Sequence, residues 1–125
     1  MSDAKAIASE TEADTRATRI DPALLAAGWL PPSAHVRREV IAPGRIIEGG
    51  KRANPMSADY VLHMGGQKLA VIEAKRAGLA TAEGVAQAKE YALRLKTPFA
   101  YATNGLTWYE MDMRGVNRTG FTGDL

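Results

Sequence analysis

The residue order predicts an α/β domain, αβββαββ, with a central mixed sheet flanked by helices. Three observations carry that expectation. Apolar residues recur at three- and four-residue spacing over residues 13–27 and again over 85–95, the mark of a helix with one inward face. Two apolar runs, Ala58–Met64 and Lys68–Ala74, meet at Gly65-Gly66 and carry apolar residues on both faces, as central strands do. Asn104-Gly105 then separates two further strand-like runs, a strong hairpin signal.

Each element has a local reason. Residues 1–9, MSDAKAIAS, show neither a basic start nor a long apolar run and read as a flexible polar tail, so no secretory leader is expected. Ser9 or Thr11 can cap the first helix, with Glu12 and Asp14 in its first turn, where negative charge suits the helix dipole. Its expected apolar stripe is Ala13, Ala17, Ile20, Leu24 and Ala27, with Glu12, Arg16 and Arg19 off it. Asp21-Pro22 makes this either one kinked helix or two short ones, and Gly28 ends it. His35–Ile41 is strand-like up to Pro43-Gly44, and the chain to Ser57 is rich in Gly, Pro and basic residues, as functional loops often are. After Gly78 a helix is expected from about Leu79 to Leu95, with Val85, Ala88, Ala92 and Leu95 inward, Lys89, Glu90 and Arg94 outward, and Gly84 weakening its first half by up to ~1 kcal/mol. Phe99–Thr103 and Thr107–Met113 are the last two strands, and no pattern follows Gly115.

The composition bounds the chemistry. A chain of 125 residues, 46% hydrophobic and 24% charged, is one ordinary domain. Without cysteine it has no disulfide, thiol nucleophile or iron–sulfur site, and its two histidines, His35 and His63, leave any metal to carboxylates, which favours hard cations such as Mg²⁺. Neither GxxxxGK[ST] nor GxGxxG occurs, so an ATP motor or dinucleotide enzyme is not expected within these residues. A net charge of +2 does not by itself announce a nucleic-acid binder, although Arg37, Arg38, Arg45, Lys51 and Arg52 are gathered in one stretch.

The informative run is Leu69-Ala70-Val71-Ile72-Glu73-Ala74-Lys75-Arg76. Glu73 and Lys75 share a strand face at the end of an apolar run, and charges so placed must be paired, hydrated or engaged with a metal. Asp59 is the natural partner, and register decides it. A two-residue Gly65-Gly66 loop alone pairs Asp59 with Ile72, whereas an odd loop such as Gly65-Gly66-Gln67, or a bulge, sets Asp59 opposite Glu73, about 5 Å away. The bland alternative is a surface ion pair between Asp59 and Lys75. Spacing alone leaves both readings open.

Here a resemblance enters. The segments 12–16 (EADTR), 20–24 (IDPAL), 27–29 (AGW), 43–45 (PGR), 58–62 (ADYVL), 70–76 (AVIEAKR), 87–92 (QAKEYA) and 98–105 (PFAYATNG) resemble the N-terminal endonuclease domain of the restriction (R) subunit of type I restriction enzymes, a branch of the PD-(D/E)xK nucleases. The likeness runs from about residue 10 to residue 112. It implies a restriction-endonuclease-like fold over 10–114, residues 115–125 extending toward a helicase-like motor, and a Mg²⁺-dependent deoxyribonuclease, Mn²⁺ being an alternative ion. Residue by residue it implies Asp59, Glu73 and Lys75 as catalytic. Asp59, Glu73, the Ala74 backbone oxygen and Glu12 would be metal ligands, with Lys75 orienting or helping to activate the attacking water. Gln87 and Tyr91 match the QxxxY pattern of this branch, and Arg16, Arg45 and Arg76 would support or grip DNA. For Gln87 and Tyr91 the alternative is an interior Gln and a core Tyr; for Glu12, a first-turn acid that only suits the dipole. The usual basic pair running straight into the Ala-Asp step is displaced, since Asn54-Pro55-Met56-Ser57 stands between Lys51-Arg52 and Ala58-Asp59. The implied partners are double-stranded DNA and, in a full complex, methyltransferase and specificity subunits, with ATP used only by a motor outside these residues. A cytoplasmic setting is expected, and so is that the chain is a piece of a longer subunit. A non-catalytic DNA-binding or docking module of the same fold, and a solitary repair or phage-type nuclease, are the competing expectations.

Overall fold

The computed structural model describes residues 2–29, 36–42 and 56–115. Their order is α1 (Ser2–Ser9), α2 (Glu12–Thr15), a π turn (Arg16–Ile20), α3 (Asp21–Ala26), β1 (Val36–Ala42), β2 (Met56–Met64), β3 (Gln67–Ala74), a 3-10 turn (Thr81–Gly84), α4 (Val85–Leu95), β4 (Phe99–Thr103) and β5 (Trp108–Asp112). The five strands form one sheet in the order β1-β2-β3-β4-β5. All neighbours are antiparallel except β3 and β4, whose parallel pairing requires the crossover that α4 provides. This is the mixed, helix-flanked α/β sheet the sequence predicts.

The sheet is apolar on both faces and each face has its own core. Val61, Val71, Ala100, Ala102 and Met111 pack with Ala88, Tyr91 and Ala92 of α4. On the other face Tyr60, Leu62, Ala70 and Ile72 pack with Ile20 and Leu24, with Trp29, Phe99 and Tyr101 at the margin. Burying a side chain such as Ile72, 1% exposed, contributes roughly 1.5–3 kcal/mol. Among the described residues no helix is long and apolar enough to cross a membrane.

Several expectations are corrected. Residues 2–9, expected as a flexible tail, form α1, whose end receives Arg76 Nη1 on the Ala8 carbonyl at 3.2 Å. Thr11 caps α2 in a reciprocal box with Asp14. Beyond it, helix continues to Ala26 without a break, and the Asp21-Pro22 step is absorbed by the π turn, in which the Asp21 N–H reaches the Arg16 carbonyl. Pro22 has no N–H to donate and its ring crowds the preceding turn, so widening that turn relieves the conflict. The extra residue shifts the helix phase by about 100°. Ala13 and Ala17, expected on the buried stripe, are therefore exposed, and Ala27, expected there too, is exposed at the helix C-cap, while Glu12, Arg16 and Arg19 are half-buried beside Thr15, Ile20 and Leu24. The helix expected from Leu79 begins at Val85, after the 3-10 turn. Along it Tyr91 joins Ala88 and Ala92 as buried, whereas Val85 and Leu95 are only partly so. The last strand is shorter than expected, because Asn104 Oδ1 accepts from the Leu106 and Thr107 N–H groups and makes the β4–β5 connection a four-residue turn. Of the displaced basic loop, Arg45, Lys51 and Arg52 lie outside the described residues, as do residues 116–125.

Candidate active site

Gly65 and Gly66, with φ of 60° and 80°, form a two-residue turn that pairs Met64 with Gln67 and His63 with Lys68. Continued unchanged, that register puts Asp59 opposite Ile72. It shifts between Leu62 and His63: Leu62 pairs with Ala70, leaving Leu69 as the extra residue, and Tyr60 pairs with Ile72. The bulge thus supplies what the two-glycine turn does not, a register aimed at Asp59 opposite Glu73. The ladder stops there. In place of another backbone bond, Asp59 Oδ2 accepts the Ala74 N–H at 2.7 Å. On the other side of β2, pairing with β1 runs through Arg38–Tyr60 and Val40–Ala58 and omits Glu39–Asp59. Asp59 therefore occupies the place where both ladders of β2 open.

Glu73 is 6% exposed, and its Oε1 is buried with no hydrogen-bond partner. Lys75 Nζ lies 3.7 Å from Glu73 Oε2 and donates to Gln87 Oε1 at 2.8 Å. Burial, then the charge of Asp59, pushes the Glu73 carboxyl up to about 8. Burial also raises Asp59, against the lowering effect of the Ala74 N–H and of Arg16. Two carboxyls that resist ionising together, one with an orphaned buried oxygen, form a donor set that fits a hard divalent cation. Glu12 is close enough for Asp59 to add to the effect of burial in raising its carboxyl. Among the described residues, however, no group of three or more His, Asp or Glu side chains is gathered as a metal cage. Ala74 contributes its N–H, through Asp59.

The remaining expected residues divide. Tyr91, one helical turn beyond Gln87, is 5% exposed; burial and then the charges of Glu73 and Asp59 raise its phenol. Arg16 Nη1 stands 3.6 Å from Asp59 Oδ1 and 3.1 Å from Glu39 Oε2. Arg76 is turned toward α1.

Three positions carry more than their sequence signal. Gly84, read only as a weak helix residue, is buried where an added Cβ would meet Glu73 Cγ at 3.2 Å and Lys75 Cε at 3.5 Å. It lets α4 begin directly over the carboxylate. Thr15, fully buried, accepts the Ala77 N–H at 2.9 Å and donates to Glu10 Oε2 at 2.9 Å, tying the first helix to the chain just after Lys75. Glu39 adopts φ of 55°, rare for a non-glycine residue. A glycine preceding Gln87 by three residues was the faint signal available for Gly84; Thr15 and Glu39 had none, because their partners are distant in sequence.

Comparison with known proteins finds subunits of type I restriction enzymes. The family described as type I restriction enzyme EcoKI endonuclease subunit second domain matches residues 44–98. The type I restriction enzyme EcoAI endonuclease subunit of Escherichia coli is 44% identical over 100 residues, covering 76% of this chain and 12% of that protein. Among solved structures, a fragment assigned to an HsdR subunit of a type I restriction enzyme from Vibrio vulnificus YJ016 superposes with a TM-score of 0.66 at 32% identity, over 81% of this chain and 21% of that one. The chain thus spans a small part of the relatives it matches.

Proposed function

We propose that this chain, which is similar to the endonuclease subunits of type I restriction enzymes, is a Mg²⁺-dependent DNA endonuclease domain that hydrolyses phosphodiester bonds in the restriction of foreign DNA. The observation that carries the reading is the Asp59–Glu73 pair, with the unpartnered buried Glu73 Oε1 and Lys75 Nζ 3.7 Å from the same carboxylate. Asp59 and Glu73 would hold the ion, with the Ala74 carbonyl and Glu12 as further oxygen donors. When bound, Mg²⁺ lowers the pKa of its water and offsets charge on the phosphorus. The chain's own residues do the rest. The Ala74 N–H fixes one oxygen of Asp59, and Arg16 Nη1 stands 3.6 Å from the other. Gln87 holds the Lys75 ammonium beside Glu73, where it orients the water and meets the developing charge of the phosphate. Tyr91 closes the apolar wall behind Glu73, which keeps the local dielectric low and the charges strong.

Double-stranded DNA is the proposed substrate. The proposed setting is a cytoplasmic complex with methyltransferase and specificity subunits, ATP serving a motor elsewhere in the subunit. The test is cleavage of supercoiled DNA with Mg²⁺. Asp59→Ala and Lys75→Ala are each expected to lose at least about 100-fold in rate. Calorimetry with Mn²⁺ is expected to show binding that Asp59→Ala and Glu73→Gln remove. Cleavage that survives both Asp59→Ala and Lys75→Ala sinks the proposal.

A further inference from the structure

A second feature lies beside the carboxylate pair. Between the first helix and β1 is a cleft of about 220 Å³ lined by Ala13, Arg16, Ala17, Asp21, Arg38 and Glu39. Its floor is ordered by three ion pairs. Arg38 Nη2 pairs with Asp21 Oδ2, while the other Asp21 oxygen accepts the Tyr60 hydroxyl at 2.7 Å, and the Arg38 guanidinium lies over the Tyr60 ring, 5.9 Å from its centre. Arg16 is held by Glu39 at 3.1 Å and by Asp59 at 3.6 Å, both through Nη1, so its Nε and Nη2 edge enters neither contact.

Glu39 is the telling residue. It takes a left-handed backbone conformation in the middle of β1, yet the pairs on either side of it keep one register. The strand gains nothing from that distortion. What it does is turn the Glu39 carboxylate onto Arg16. Strain kept in a strand calls for a functional explanation. The exposed Ala13 and Ala17 are equally telling, because as lining residues they leave the cleft open where larger side chains would fill it.

We propose that this cleft is a phosphate subsite for the DNA strand next to the scissile bond, with Arg16 and Arg38 as its two donors and Glu39 and Asp21 as the residues that position them. The proposal rests on the nuclease reading for its substrate. Guanidinium groups pre-set by carboxylates lose little freedom on meeting a phosphate and offer it a planar fork of N–H donors. Arg16 touches Asp59, so a phosphate held there is in register with the site where water attacks. Contacts of this kind grip the backbone and read no bases, as befits a nuclease domain without its own sequence preference.

The test is the salt dependence of binding to a short DNA duplex, measured in Ca²⁺, with Mg²⁺-dependent cleavage measured alongside. Each phosphate contact contributes about 0.9 to the slope of log Kd against log salt. Arg38→Ala is expected to reduce the slope by about that amount and to weaken binding about 3–10-fold at moderate salt, while Arg38→Lys keeps the slope. Ala17→Leu removes no charge and alters an exposed position, so the fold is retained; it is expected to weaken binding by filling the cleft. Should Arg38→Ala and Ala17→Leu both bind DNA with the wild-type affinity and slope, the subsite is wrong even if Asp59→Ala abolishes cleavage and the nuclease reading stands. Conversely, a slope that falls with Arg38→Ala while Asp59→Ala leaves cleavage intact keeps the phosphate cleft and removes the nuclease reading.

Discussion

At the scale of single residues, Gly84 and Glu39 are informative because each departs from what its local element asks for. A glycine at the start of α4 sacrifices helix propensity, and the reason is Glu73 Cγ, 3.2 Å from where a Cβ would stand. Gly84→Ala is therefore expected to leave the fold intact, since φ there is an ordinary −97°. It should displace Glu73 and Lys75, lowering Mn²⁺ affinity about tenfold by calorimetry, a loss of ~1.4 kcal/mol. Unchanged affinity would mean that the site has slack which the contact distances deny. Glu39 pays for its conformation with backbone strain on the order of 1 kcal/mol. Glu39→Gly relieves that strain and loses only a mostly exposed ion pair, so thermal unfolding should show stability unchanged or raised by up to about 1 kcal/mol. A fall of more than about 1 kcal/mol would instead make Glu39 a structural residue. Asp59, Glu73 and Lys75 were legible as candidates at the end of an apolar strand, but only the resemblance to the nuclease family singled them out together with Gln87 and Tyr91, because spacing alone left a surface ion pair open. Glu39 and Thr15 were not, because what matters about them is a partner on another element, and one sequence carries no record of such pairs.

Elements were legible wherever the period was clean. The strands around Gly65-Gly66 and the pair Phe99–Thr103 and Trp108–Asp112 follow from apolar runs and turn residues. The first helix was legible as a helix but not in phase, because a π turn is invisible to a 3.6-residue period and rotates everything before it. Register was the most consequential unknown, since the two-glycine turn and the bulge at Leu69 act in opposite senses and only their sum fixes where Asp59 falls. That sum predicts an unusual pattern of tolerance. Deleting Leu69 closes the bulge: Leu62 still pairs with Ala70 and His63 with Lys68, so Asp59 stays opposite Glu73. Metal binding should survive, at a cost of about 1–2 kcal/mol for the lost half-buried leucine. Deleting Lys68 together with Leu69 moves β3 by one residue against β2 and turns Glu73 to the other face. The double deletion should lose metal binding and cooperative unfolding, measured by calorimetry and thermal melting. Equal behaviour of the two deletions would show that the bulge does not set the register.

Across the whole molecule, the carboxylate pair couples folding to pH and, on the proposed reading, to a divalent cation. The Glu73 carboxyl titrates near 8 in the folded chain against 4.5 for an ordinary glutamate, because burial and then Asp59 oppose its charge. A raised carboxyl means that the folded state holds its proton more tightly than the unfolded state does. The associated stability is complete below about 4.5, declines once the unfolded chain begins to release that proton, and is gone above about 8. Asp59, raised for the same first reason, acts in the same direction at lower pH. With divalent ions chelated, the melting temperature should thus fall between about pH 5 and pH 8 and level off above, by an amount worth on the order of a few kcal/mol before screening. A divalent cation held as proposed would reverse the preference, since it would bind the ionised pair and add RT ln(1 + [M]/Kd) to stability. Its stabilising effect should grow from about pH 5 to pH 8, above which no proton has to be displaced. Glu73→Gln separates this from general alkaline destabilisation: it removes the titrating group, so its metal-free melting curve should be flatter over the same interval and respond little to Mn²⁺. If wild type and Glu73→Gln decline in parallel, with equal responses to the ion, the orphaned oxygen of Glu73 is not a metal ligand and the carboxylate pair is a structural feature of the fold.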